Sequence, residues 1–222
     1  MSRQEMDRLL AYYRANPDGD EEAWVGKPDP IQQLRMGKAL AKTDPDGASR
    51  FQLREAINAS QPGYAGAATV AFEKAFPLCE SPIEKLIMPW LVVQEYSCFN
   101  YSPCVLLPGE QSHYVPYTVA VIPQLPIGGY RADFALAASR GGPVRFLVVE
   151  CDGAEYHNGP KLVRRDIDRD VRITAHGRVL DVIRLTGAEI FDNPAHAAKR
   201  VERYFIDCWS RKRTDLDHKF GK

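Results

Sequence analysis

Three carboxylates fall close together on two neighbouring predicted strands. Asp133 lies in Tyr130-Arg-Ala-Asp-Phe, and Glu150 and Asp152 end the run Phe-Leu-Val-Val-Glu-Cys-Asp. A hairpin centred near Gly141–Gly142 places Asp133 almost directly opposite Glu150, with Cβ atoms about 5 Å apart. Like charges facing each other destabilise a sheet, whereas a bound Mg²⁺ or Mn²⁺ would compensate them. Solvated acids at strand ends are the alternative, but the spacing of the pair favours a functional site.

Each of two further residues, His157 and Glu84, has two possible roles between which the sequence does not decide. His157 follows the acidic cluster and is a candidate general base, general acid or ligand, although a lone loop histidine usually has no such role. Glu84 lies in Ser81-Pro-Ile-Glu, where it can complete a capping box at the start of a helix. It can equally direct a carboxylate toward the acidic pair, and the two interpretations have equal weight.

Basic side chains recur on one face of a helix predicted over about Lys161–His176. Arg165, Arg169 and Arg172 share this face and could contact phosphate, while a solvated face with internal ion pairs is the alternative. Asp166 and Asp170 lie one turn apart on the same helix, so one of them could orient His157 or a water. Residues 199–222 hold 8 basic and 4 acidic residues, which suggests nucleic acid only weakly.

The elements that must position these residues form a mixed α/β layer. Residues 1–77 read as a helical extension, and residues 78–222 follow the order α-β-β-β-α-β before a last helix. The extension contains turn signals between helices at about Arg3–Ala15, Pro30–Lys42, Ala48–Ser60 and Ala65–Phe76. Strands are predicted at Val115–Leu125, Tyr130–Ala138, Val144–Asp152 and Val179–Leu185, and the last helix at about Ala195–Arg211.

Composition narrows the classes of protein further. The chain has 222 residues, 45% hydrophobic and 26% charged, with 29 basic and 29 acidic residues. These values argue against global disorder, and no apolar run is long enough to span a membrane. The five cysteines form no CxxC pair, which favours free thiols in a reducing cytoplasm over a disulfide framework. Zero net charge removes the simplest sign of a nucleic-acid partner.

Taken in order, these segments resemble the PD-(D/E)XK nuclease superfamily, and within it the very-short-patch-repair-like (Vsr-like, EDxHD) endonucleases. About half of the chain carries the likeness. The matching segments are Ser81-Pro-Ile-Glu84, Gln124 with Leu-Pro-Ile-Gly-Gly-Tyr-Arg-Ala-Asp133-Phe, Val149-Glu150-Cys-Asp152-Gly with His157, Asp166-Ile-Asp-Arg169-Asp170, and Val182-Ile-Arg184.

The resemblance implies a restriction-endonuclease-like core that cleaves phosphodiester bonds with Mg²⁺ or Mn²⁺. We favour DNA over RNA as the substrate, although the sequence does not decide between them. It implies catalytic roles for Glu84, Asp133, Glu150, His157 and Asp170, and metal binding by Asp133, Glu150 and the Cys151 carbonyl. Asp152 is a further catalytic candidate because it is the third carboxylate of the cluster. On this hypothesis Gln124, Arg131, Arg165, Arg169 and Arg172 would contact the nucleic acid or position the strand.

One position departs from the family pattern, because Asp152 stands where the standard motif has lysine. A lysine would stabilise the charge that develops on phosphate, and an aspartate cannot. The alternative expectation is therefore a catalytically inactive module of the same fold that binds nucleic acid or a protein. In either case, the N-terminal helices are a candidate docking arm for a partner or a second copy. A glycosidase fits less well, since directly opposed carboxylates suit a shared metal better than a sugar between them.

Overall fold

A computed structural model of the chain describes residues 30–60, 62–97, 99–153 and 169–220. The helix predicted at Arg3–Ala15 lies outside the described residues. So do His157, Arg165 and the first part of the helix predicted at Lys161–His176.

Four helices precede the sheet, and three of them match the predicted extension closely. They are α1 (Pro30–Thr43), α2 (Pro45–Ala59), α3 (Ala65–Ala75) and α4 (Pro82–Val93), with short 3-10 turns at Pro62–Tyr64 and Phe76–Leu78. Helix α2 begins earlier than predicted because Asp44 caps it, accepting a hydrogen bond from the Gly47 amide. Ser81 caps α4 in the same way, with Pro82 in the first turn.

The sheet has four strands in the order β1-β2-β3-β4: β1 (Val119–Ile127), β2 (Tyr130–Ala138), β3 (Arg145–Asp152) and β4 (Val179–Thr186). The first two pairings are antiparallel and the last is parallel. Gly128 and Gly129 join β1 to β2 with φ values of 59° and 81°, a left-handed turn that glycine adopts without steric cost. The predicted mixed α/β class is confirmed, with a mixed four-stranded sheet.

Two helices follow β4, namely α5 (Gly187–Asp192) and the long α6 (Pro194–Phe220). Between β3 and β4, residues 169–174 are helical, which agrees with the end of the helix predicted before Gly177. None of the helices in the described ranges combines the length and the apolar character that a membrane crossing requires.

Successive side chains of each strand point to opposite faces of the sheet, so the core forms two layers. Leu147 and Val149 of β3 belong to the main hydrophobic cluster, whereas Phe146 and Val148 face a second cluster that includes Ile173. The main cluster lies between the sheet and helices from both ends of the chain, and its largest fully buried members include Leu40, Phe72, Ile87, Phe134 and Phe205. Helices from the predicted extension thus pack into the same core as the sheet, and the predicted boundary at 77/78 stays a prediction.

Candidate metal and phosphate site

The β2–β3 hairpin brings Asp133 and Glu150 to the same end of two adjacent strands. The described ladder ends at the pair Phe134 and Val149, so Asp133 and Glu150 occupy the next position in the same register. The Cys151 amide donates a hydrogen bond of 2.7 Å to Asp133 Oδ2. The predicted closeness of the two acidic positions therefore has a local cause, which is the length of the hairpin turn.

Burial makes both carboxylates hard to ionise. Glu150 is only 2% exposed, and burial together with the nearby Asp133 raises its pKa from 4.5 to about 8, although Arg169 and Arg184 oppose the shift. Burial also raises the pKa of Asp133 to about 6, against the hydrogen bond from the Cys151 amide. Two acids with raised pKa values at one end of a sheet are characteristic of a functional site.

Arg169 supplies the positive charge that lies against this pair. Its Nη2 donates to Glu150 Oε2 at 2.6 Å and to the Arg131 carbonyl oxygen at 3.2 Å. Among the described residues, Glu150 Oε1 and Arg169 Nε are buried and have no hydrogen-bond partner. Each of the two groups thus keeps one buried polar atom for a further ligand.

Glu84 takes part in the cap of α4 and is also bound by a side chain of the sheet. One carboxylate oxygen accepts from the Ser81 hydroxyl at 2.6 Å, and the other accepts from the Glu80 amide at 3.0 Å. The second oxygen also accepts from Gln124 Nε2 at 2.8 Å, so the helix start is tied to β1. The capping interaction is therefore present, but the Glu84 carboxylate accepts from the Glu80 amide rather than from the Ser81 amide. The Glu84 side chain is buried.

Gln124 adopts a left-handed backbone conformation inside β1, with a φ of 52°. Its neighbours Pro123 and Leu125 pair with Phe134 and Ala132, so Gln124 lies beside Asp133 along the sheet. A left-handed non-glycine residue in a strand costs about 1–2 kcal/mol. Such strain is often retained where a side chain must reach a functional site. Nothing in the local sequence indicates this conformation.

A second acidic group surrounds Arg184, which sequence reasoning did not assign to the site. Arg184 of β4 stands beside Glu150 in the parallel register. Its Nη1 donates to Asp152 Oδ1 at 2.9 Å, and its Nε and Nη2 donate to the two oxygens of Asp170 at 3.1 and 2.8 Å. The signal in the sequence was an arginine within the otherwise apolar stretch Val182-Ile-Arg-Leu, since a charge in a strand needs partners.

The other predicted residues are exposed arginines, the Cys151 main chain, or residues outside the described part of the chain. Arg131 is exposed and pairs with Glu80, and Arg172 is exposed on the helical segment 169–174. Burial raises the pKa of the Cys151 thiol well above its usual value, so its carbonyl oxygen is the better candidate ligand. His157 and Arg165 lie outside the described residues.

The donor set at this end of the sheet fits a hard divalent cation in type. In the part of the chain that the structure describes, no three His, Cys, Asp and Glu side chains are arranged to hold a metal by themselves. Mg²⁺ usually needs only one or two protein carboxylates and completes its shell with water and phosphate oxygens. Asp133, Glu150 with its unpartnered Oε1, and the Cys151 carbonyl meet that requirement.

Comparisons of the chain with protein-family models, with curated proteins and with solved structures find no match. The assignment of a function therefore depends on the geometry and chemistry described above.

Proposed function

We propose that the chain is a metal-dependent endonuclease that hydrolyses phosphodiester bonds, with DNA favoured over RNA and Mg²⁺ or Mn²⁺ as the cofactor. The observation that carries the proposal is the pair formed by the half-buried Asp133 and the buried Glu150. The pKa values of both carboxyls are raised, and Glu150 Oε1 has no hydrogen-bond partner among the described residues. A divalent cation would relieve the mutual repulsion of the two carboxylates.

The order of elements supports the same proposal. Helix α4 precedes three antiparallel strands, the helical segment 169–174 leads into the parallel strand β4, and helices α5 and α6 follow. This is the order expected for a restriction-endonuclease-like core, which we propose for residues 78–222. The acidic pair comes from β2 and β3, the two strands that carry the metal ligands in the resembled family.

We assign the following roles to the residues of the candidate site. Asp133, Glu150 and the Cys151 carbonyl would hold the cation, which when bound polarises phosphate and makes water a stronger acid. The Cys151 amide fixes the orientation of Asp133, and Gln124 and Ser81 fix that of Glu84. Arg169 donates to Glu150 and its side chain is 25% exposed, so it is the best-placed group to bind a phosphate oxygen.

His157 remains the proposed group for proton transfer to the leaving oxygen or from the attacking water. Arg131 and Arg172 are exposed and would contact the phosphate backbone, with Arg165 as a further proposed contact.

The test is a cleavage assay with supercoiled DNA, single-stranded DNA and RNA, each with Mg²⁺, Mn²⁺ or EDTA. We expect nicking or cutting of at least one DNA in the presence of metal, none in EDTA, and loss of the activity in Asp133→Ala. Arg203→Ala, at an exposed position on α6, is the matched control and should retain activity. Cleavage by Asp133→Ala at the rate of the unsubstituted chain would rule the assignment out.

A second candidate is a module of the same fold that binds nucleic acid or a protein without turnover. The observation that favours it is Asp152, which replaces the lysine of the resembled motif and is neutralised by Arg184. DNA binding without metal-dependent cleavage, together with no heat of Mn²⁺ binding in calorimetry, would establish this alternative.

We also propose a cytoplasmic location. Cys79, Cys104, Cys151 and Cys208 are free in the structure, which suits a reducing compartment.

A further inference from the structure

Arg184 connects three separate segments of the candidate site. Its guanidinium donates two hydrogen bonds to Asp170 and one to Asp152, at distances from 2.8 to 3.1 Å. Its main-chain carbonyl oxygen accepts from Arg200 Nη2 of α6 at 2.6 Å. The paired arrangement with Asp170 is the bidentate geometry that gives an arginine–carboxylate contact its directional precision.

The contact between Arg184 and Asp170 also affects Glu150, because the residue next to Asp170 binds Glu150. Asp170 follows Arg169 directly in the chain, and Arg169 places Nη2 on Glu150 Oε2 at 2.6 Å. Through its hydrogen bonds to Asp170, Arg184 fixes the start of the helical segment 169–174 against β3 and β4. The same contact therefore fixes the place from which Arg169 reaches the acidic pair.

Arg184 and Arg169 differ in how far their positive charges are already balanced by acidic partners. Arg184 faces two carboxylates, so its charge is more than balanced by its partners. Arg169 has one carboxylate partner and one carbonyl partner, and its buried Nε has no hydrogen-bond partner among the described residues. Arg169, whose side chain is 25% exposed, could bind a phosphate while keeping its bond to Glu150, whereas Arg184 would first have to break its bonds to Asp152 and Asp170.

We propose that Arg184 is a positioning residue that holds Asp152 and Asp170 and thereby sets Arg169 against Glu150, and that Asp152 and Asp170 act as its acceptors rather than on the metal or substrate. This inference rests on the proposed nuclease function for its kinetic consequences. It explains why an aspartate follows Cys151 in this chain, because Arg184 needs an acceptor at the end of β3.

The first experiment measures the salt dependence of binding to a labelled DNA duplex in EDTA. Removing a phosphate contact lowers the slope of log K against log salt by about 1. We expect this reduction for Arg169→Ala, and we expect the double variant Arg169→Ala/Arg184→Ala to have the same slope as Arg169→Ala, because Arg184 acts only through Arg169. Arg203→Ala, on the exposed face of α6, serves as the reference for a substitution away from the site. A slope lower by about a further 1 in the double variant than in Arg169→Ala would overturn the proposal, because it would make Arg184 an independent phosphate contact.

The second experiment separates kcat from KM in the metal-dependent cleavage reaction. Loss of a group that orients a site residue typically costs about 10–100-fold in activity. For Arg184→Ala we expect that loss in kcat with KM for DNA changed less than threefold. Asp170→Asn should give a similar split, and Arg184→Lys should recover only part of kcat because lysine cannot form the bidentate contact. A loss confined to KM would contradict a positioning role.

The third experiment needs no activity and so separates failure of this inference from failure of the proposed function. Arg184→Ala and Asp170→Asn should each lower Tm by on the order of 5 °C, since each leaves a partly buried charge without its partner. The double variant should lose little more than either single one, because both break the same contact. Additive losses in Tm would refute the contact, whereas absence of DNA binding by the unsubstituted chain would instead refute the proposed function.

Discussion

Replacing Glu150 by glutamine should stabilise the metal-free protein at neutral and alkaline pH. The Glu150 carboxyl has a raised pKa of about 8 in the folded chain, mainly because it is buried, against 4.5 in an unfolded one. The folded state therefore binds a proton between these two pH values that the unfolded state has lost. Stability must fall as pH rises from about 4.5 to about 8, and the fall ends above the folded pKa.

The size of the effect follows from the same shift. Each pKa unit corresponds to about 1.4 kcal/mol in the free energy of unfolding. The difference between 4.5 and about 8 therefore lowers that free energy by about 5 kcal/mol above pH 8 and by about 3 kcal/mol at pH 7. The Glu150 side chain is 3% exposed, so solvent screening reduces this figure little. Glutamine has nearly the same shape, stays neutral, and keeps an oxygen that can accept from Arg169. Its advantage over glutamate should be close to zero at pH 5 and grow with pH.

The assay is thermal unfolding followed by circular dichroism between pH 5 and pH 9 in EDTA. For a chain of this length, about 3 kcal/mol corresponds to a Tm higher by roughly 6–12 °C for Glu150→Gln at pH 7. Glu95→Gln, at an exposed position, is the matched control and should follow the unsubstituted chain. The reasoning would be refuted if Glu150→Gln were less stable than the unsubstituted chain at pH 8, or if the two curves were parallel across the pH range.

A saturating cation should narrow this difference in stability. At about 100 times its dissociation constant, Mn²⁺ stabilises a protein by about 2.7 kcal/mol. The unsubstituted chain should gain this stabilisation, and Glu150→Gln should gain little because it has lost a charged ligand. An equal rise in Tm for both proteins would place the metal elsewhere.

Three further substitutions test the surroundings of the site and the core by thermal or chemical unfolding. Ser81→Ala removes the cap of α4 and the hydroxyl that donates to Glu84, and should cost about 1 kcal/mol; an unchanged stability would refute the cap. Gln124→Gly should be about 1 kcal/mol more stable than Gln124→Ala, because glycine accepts a φ of 52° without strain, and equal stabilities would deny that strain. Phe205→Ala should cost about 3–5 kcal/mol because the ring is fully buried, whereas Val70→Ser, at a residue 71% exposed, should change stability by less than about 0.5 kcal/mol.

Local signals were sufficient to predict much of the fold. The Gly128–Gly129 turn and the alternation that follows predicted β2 at its observed bounds, Tyr130–Ala138. The first strand was placed four residues too early, at Val115 instead of Val119. Tyr117 has a φ of 65°, and this break in the extended backbone has no signal in a segment rich in β-branched and aromatic residues. Helix α5, with six residues, was too short to show a periodic pattern.

The site was predictable where chain geometry fixes it and unpredictable where distant segments meet. The hairpin spacing was enough to place Asp133 beside Glu150, because both lie in one antiparallel ladder. The contacts of Arg184 with Asp152 and Asp170 join residues 32 and 14 positions away, so they depend on how β4 and the helical segment pack. Gln124 likewise reaches Glu84 across 40 residues of chain, from a backbone conformation that only the assembled sheet enforces.

The most direct test of the proposed function is the rate of Mn²⁺-dependent cleavage of supercoiled DNA by the unsubstituted chain and by Asp133→Asn. Asparagine keeps an oxygen for the Cys151 amide and should leave the fold intact, which circular dichroism can verify. The account predicts that metal-dependent nicking falls by more than the roughly 10–100-fold that loss of an outer partner costs. Nicking by Asp133→Asn at the unsubstituted rate, or no nicking by the unsubstituted chain with either metal, would contradict it.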